Sequence, residues 1–171
     1  RANLLSSGAY IAWDTNLTFN TTSIKTGTSS YRITNMGKKD SAVYVMREDG
    51  MGVLNNDRFT SIDTGIEKTP SSKNGLSFAA QGGFVFYSWL HSLIRMYGST
   101  HDDIGDDYRS TGLPDGREGN YSDLEPYLKN LFCAIDAGTG TSSVLAWDGI
   151  GPHEIVRGWA GGRIRMVKIQ V

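Results

Sequence analysis

Between residues 101 and 107 the chain reads His101-Asp102-Asp103-Ile104-Gly105-Asp106-Asp107, its densest group of side chains able to bind a cation or move a proton. Carboxylate oxygens on a glycine-containing loop are the ligands Ca²⁺ takes. A calcium loop of the EF-hand kind alternates its acids and closes on a glutamate, and this run does not alternate that way. The spacing predicts a solvated turn in which aspartates accept from nearby backbone N–H groups. Asp102, Asp103, Asp106 and Asp107 are the metal candidates if the loop coordinates calcium instead.

Other chemistry has weaker footing. His91, His101 and His153 are dispersed, with no second His or Cys at zinc-ligand spacing. No Gly-x-Ser-x-Gly elbow offers a serine nucleophile. Gly158-Trp159-Ala160-Gly161-Gly162 lacks phosphate-loop spacing, and Gly161-Gly162 reads as a turn before a strand. Glu48, Glu67, Glu118, Glu125 and Glu154 could serve as acid or base, but a glycosidase needs two carboxylates at a set separation, which a linear sequence does not display. Glu154 alternates with apolar neighbours in His153-Glu154-Ile155-Val156, as on the exposed face of an outer strand. The expectation is a protein without catalytic residues, cofactor or obligatory metal.

Trp13, Trp89, Trp147 and Trp159 each pair a flat apolar face with a polar N–H, which suits a sugar ring. Their places near strand ends fit packing between sheets, and packing is the expectation. Asn16, Asn20 and Asn120 begin triplets of the N-glycosylation type, relevant in a eukaryotic secretory setting. Cys133, the lone cysteine, sits in an apolar run and reads as a buried thiol.

The elements that would position these groups come from a repeat. Tyr31, Leu76, Tyr121 and Met166 fall 45 residues apart, a spacing within the range of propeller repeats. Four short apolar runs follow Tyr31: 31–34, 43–46, 51–54 and 59–62. They recur at 76–79, 84–87, 93–96 and 102–104, then at 121–124, 131–135, 144–147 and 153–156. Turn residues separate them, among them Glu48-Asp49-Gly50, Asn55-Asn56-Asp57 and Asp148-Gly149. With 21 glycines among 171 residues, the composition favours an all-β chain of many tight turns. One short helix is expected over Ser122 to Asn130, interrupted by Pro126, with an irregular crossover as its equal alternative.

The expected division is residues 1–30 as the end of a preceding blade, 31–75, 76–120 and 121–162 as blades, and 163–171 as the first strand of a further blade. Propellers usually close with about 4 to 8 blades, so the array reads as an incomplete segment of a larger propeller, or one completed by another copy. With 17 basic and 18 acidic residues and a net charge of −1, there is no electrostatic footprint for nucleic acid. The apolar stretch from Gly82 to Leu90 is about half the roughly 20 residues a membrane helix needs, so no span is expected.

Gly82-Gly83-Phe84-Val85-Phe86-Tyr87-Ser88-Trp89, Leu93-Ile94-Arg95-Met96-Tyr97-Gly98 and Gly112-Leu113-Pro114-Asp115-Gly116-Arg117, with 134–139 and 142–155, resemble β-propeller repeat proteins. At residue level they are most similar to the propeller-bearing tail and virion proteins of tailed bacteriophages and related bacterial proteins. Trp147-Asp148 matches the dipeptide that ends the third strand in WD-repeat propellers. Asp136-Ala137-Gly138-Thr139 is similar to the aspartate box of sialidase-type propellers, with Ala134 where that box has Ser and Gly140-Thr141 where it has Thr-Trp. The resemblance implies a structural or interaction module of a larger assembly, located in a virion. Its partners would be proteins, copies of itself included, or a host-surface glycan. The alternative is a secreted or cell-surface propeller that binds or hydrolyses glycans.

Overall fold

Runs of apolar and β-branched residues, several of them joined by two-residue turns, fold here as antiparallel hairpins. The structure is a computed structural model that describes residues 4–6, 23–26, 30–55, 58–63, 65, 69–105, 120–136, 141–149 and 152–160. Every regular element among them is a strand. β1 (Leu4–Ser6) and β2 (Ser23–Lys25) make a two-stranded antiparallel pair. β3 (Ile33–Lys39), β4 (Ala42–Arg47), β5 (Gly50–Asn55) and β6 (Arg58–Ile62) form the first four-stranded sheet. β7 (Phe78–Gln81), β8 (Phe84–Trp89), β9 (Ser92–Tyr97) and β10 (Thr100–Asp103) form the second. β11 (Asn120–Tyr127), β12 (Asn130–Asp136), β13 (Thr141–Trp147) and β14 (Pro152–Ala160) form the third.

Each strand pairs antiparallel with the next in sequence, so every sheet is an up-and-down meander. The first strands β3, β7 and β11 are neighbours, and β11 also lies against β8 and β9. The sheets therefore stack in sequence around their first strands as propeller-like blades, and the described sheets do not close on one another.

Two apolar layers hold the stack. Met46 and Met51 of the first sheet pack with Val85, Tyr87, Trp89, Ile94 and Met96 of the second. Ala79, Phe86 and Leu93 pack on the other side with Leu124, Leu131, Cys133, Ile135 and Leu145 of the third. Strand β8 is thus covered on both faces, and the period of 2 along a strand sends Val85, Tyr87 and Trp89 one way and Phe86 the other.

Polar side chains tie neighbouring sheets together. Asn35 Nδ2 donates to the Leu76 carbonyl (3.0 Å), and the Ser77 hydroxyl donates to that of Tyr121 (2.9 Å). Gln81 Nε2 donates to the carbonyls of Leu128 (2.9 Å) and Asn130 (3.0 Å).

The expected helix at 122–130 is not formed. That stretch is β11, whose residues from Asn120 to Tyr127 pair with β12. Pro126 is tolerated because β11 is an end strand of its sheet, where a missing N–H breaks no second ladder. The 45-residue register also shifts. The turns between first and second strands begin at Asp40, Gly82 and Leu128, 42 and then 46 positions apart. The first strands lie later than 31–34 and 76–79, since β3 spans 33–39 and β7 spans 78–81. The first strand expected at 163–171 lies outside the described residues, as does most of the blade end expected at 1–30.

Candidate functional site

In a meander, alternate turns fall at opposite ends of the sheet. One end of this stack carries the tight β3–β4, β7–β8, β11–β12 and β9–β10 turns. The other carries the β4–β5 and β8–β9 turns and the chain's crossovers between sheets. At the first end, positive φ is needed at the opening residue of each turn, and Asp40 (φ 55°), Gly82 (59°), Gly98 (59°) and Leu128 (54°) occupy those positions. Asp and Gly suit that conformation, while leucine does not.

A cleft of about 270 Å³ opens there between the first two sheets, lined by Lys38, Lys39 and Asp40 on one side and Ala80, Gln81, Gly82 and Gly83 on the other. Lys39 and Asp40 are ion-paired at 3.0 Å, and the hydrogen bond that Lys39 Nζ donates to that carboxylate raises the Lys39 pKa. Gln81 links the cleft to the third sheet through Leu128. Two exposed large apolar side chains flank this region, Leu128 at 81% and Tyr97 at 65% exposure. Tyr97 packs at a tilt against Phe84, with ring centroids 5.4 Å apart, at the edge of the Gly82-Gly83 turn.

The acidic run divides. Asp102 and Asp103 lie on β10, on opposite faces by strand alternation. Asp102 Oδ2 accepts from Arg95 Nη2 at 2.9 Å, and Asp103 Oδ1 accepts from the Gly105 backbone N–H at 3.0 Å. Asp106 and Asp107 lie outside the described residues. Among the described residues, no group of three or more His, Cys, Asp or Glu side chains converges on one point.

A partly buried pair that spacing did not single out joins β8 to β10. The Tyr87 hydroxyl lies 2.9 Å from His101 Nδ1. Burial raises the Tyr87 pKa far above the usual phenol range, with Asp103 adding to the effect. Burial lowers the His101 pKa, opposed by Asp102 and Asp63. His91 is exposed on the β8–β9 turn, and His153 is in β14. The three histidines thus lie on three different elements.

Of the tryptophans, Trp89 is buried edge-on against Tyr87 (6.4 Å). Trp147 ends β13, meets Phe86 edge-on (5.5 Å) and carries the Arg95 guanidinium over its ring at 5.7 Å. Both pack between sheets. Trp13 lies outside the described residues, and Trp159 is in β14. Of the glutamates, Glu48 Oε2 accepts from the Arg32 N–H at 3.0 Å, Glu125 is in β11 and Glu154 in β14. Glu67 and Glu118 lie outside the described residues.

The Cys133 thiol is buried, which raises its pKa and keeps it protonated. The triplet at Asn120 lies in β11, where Tyr121 and Ser122 are buried and the Ser122 hydroxyl donates to the Ala134 carbonyl (3.3 Å). Asn16 and Asn20 lie outside the described residues. Among the described residues no helix is long and apolar enough to cross a membrane.

The class defined by these observations is an all-β, propeller-like stack of four-stranded antiparallel sheets with a turn end that displays apolar side chains. No protein-family model matches the chain, and no curated protein matches it either.

Proposed function

We propose that this chain is a structural and interaction module of a larger assembly, a tail or virion component of a phage, rather than an enzyme. The observation that carries the reading is where the polar side chains are used. Asn35, Asn74, Ser77 and Gln81 bond to backbone across or between sheets, while large apolar side chains stand exposed at the turn end. A scaffold needs rigid blades and displayed anchors, and both follow from this distribution. The glycan reading would place aromatic platforms in a recess. Trp89 and Trp147, the two tryptophans with described side chains, instead pack between sheets.

Cross-linking mass spectrometry on particles purified from the source tests the proposal. Links from the turn-end residues Lys38, Lys39 and Lys129 to capsid, portal or tail proteins are expected. Saturable binding to a glycan panel, or turnover of a chromogenic glycoside, would overturn it in favour of the glycan-directed alternative.

A further inference from the structure

The turns that end the first strand of each sheet are built alike, so their side chains compare position by position. Lys39, Gln81 and Tyr127 close β3, β7 and β11, and each pairs across a two-residue turn, with Ala42, Phe84 and Asn130. By strand alternation Gln81 shares a face with Ala79, toward the third sheet, and Lys39 shares one with Gly37, against which Phe78 of the second sheet packs. Each therefore faces the turn of the next sheet. Gln81 spans its gap by donating to the Leu128 and Asn130 carbonyls. Lys39 does not. Its Nζ donates to Asp40 Oδ2 of its own turn at 3.0 Å, and the cleft of about 270 Å³ lies where the corresponding bridge to the Gly82-Gly83 turn would run.

The open gap is rich in donors. Two lysines line it against one aspartate, Asp40, which leaves an excess of one positive charge. An ammonium has three N–H donors, and Asp40 uses one of those on Lys39. On the facing wall Gly82 and Gly83 are exposed, Gly82 has open space where a Cβ would stand, and no hydrogen bond occupies either N–H. A group that accepts from an ammonium and from consecutive turn N–H groups at once is an anion. Small-molecule pockets run from about 300 to 1,000 Å³, so this cleft suits one or two side chains of a larger partner. We infer that it receives the carboxylates of an acidic segment on a partner protein, held between the Lys39 ammonium and the Gly82-Gly83 backbone. The inference rests on reading the chain as an interaction module, and it names the chemistry of the partner.

Titration of the intact protein with a capped Gly-Glu-Glu-Gly peptide, followed by NMR at the Gly82 and Gly83 amides, tests this. Saturable shifts are expected with the glutamate peptide, and none with its glutamine analogue. Lys39→Gln places at β3 the side chain that spans the other gap, so it should weaken binding by about tenfold or more while the thermal midpoint matches or exceeds the parent's. Asp40→Asn, compatible with φ 55°, removes the competing carboxylate and should tighten binding by about threefold. Absent shifts, an equal response to the glutamine analogue, or an affinity that Lys39→Gln leaves unchanged overturns the inference. Each of those results leaves the interaction-module reading standing if Lys38 and Lys129 still cross-link to other particle proteins. Tighter binding of trigalacturonate, whose carboxylates sit on a sugar chain, would overturn both.

Discussion

Asn74 is fully buried, and its side chain bonds to three separate segments. Nδ2 donates to the carbonyls of Glu48 (2.8 Å) and Thr69 (3.0 Å), and Oδ1 accepts the Leu90 N–H (2.9 Å). It thereby clasps the β4–β5 turn, the crossover between sheets and the β8–β9 turn. Replacing it by alanine deprives the Leu90 N–H of its acceptor, so Asn74→Ala should cost about 1–3 kcal/mol in urea unfolding. His101 makes a second residue-scale prediction. Its folded pKa is lowered, chiefly by burial, from an ordinary 6.5. The folded state thus binds the proton less readily than the unfolded one. The stability this confers is complete above about pH 6.5 and is lost as pH falls through the lower folded value. The parent should therefore lose stability relative to His101→Gln as pH drops below neutrality, as read from midpoints of unfolding at a series of pH values. Equal losses in the two proteins would assign the acid sensitivity to other groups.

At the scale of the element, close approach between strands is bought with glycine. Gly75 has φ 64°, and a Cβ there would collide with the Met46 side chain while meeting Thr34 Oγ1 at 3.1 Å. Its N–H donates to the Ser88 carbonyl (2.7 Å), which fixes the chain where it enters the second sheet. Gly75→Ala combines left-handed strain with overpacking and should destabilise by about 2–4 kcal/mol, measured by chemical denaturation. Gly37 has the same role on β3, where the Phe78 ring fills the space a side chain would take. By contrast Gly82 has open space around its would-be Cβ, so its turn needs glycine for backbone conformation rather than for room.

For the whole molecule, the second sheet is the keystone because both of its faces are covered. Phe86 and Trp89 come from the same strand yet belong to different layers, the first shared with the third sheet and the second with the first. Stacked repeats bury their core only against neighbours, so their stability is a sum of intrinsic and interface terms. Phe86→Ala and Trp89→Ala should each cost about 3–5 kcal/mol. If the stack unfolds cooperatively, both variants retain one transition detected alike by fluorescence and circular dichroism. A curve that separates into two steps in either variant would show that the two layers are energetically independent.

Strand alternation, turn residues and glycine content depend on local backbone preference, which is why the all-β class and the turn at Glu48-Asp49 were legible in the residues themselves. Val43–Met46, Phe84–Tyr87 and Leu131–Ile135 each sit inside an observed strand for the same reason. The stretch 122–130 misled because an acidic start and a proline describe a short helix as well as an edge strand. Only pairing with β12 decides between them. The cleft formed by Lys38, Lys39, Gly82 and Gly83 and the exposed Leu128 turn were likewise hidden, since Leu128 is apolar and its exposure follows from the stacking of the sheets. Separations in space belong to the tertiary structure alone. It parts Asp102 from Asp103 across a strand, sets Tyr87 beside His101 from two strands away, and gathers Lys38, Gln81 and Leu128 at one end. Those residues are distant in sequence, and only interlocking apolar layers between sheets bring them together.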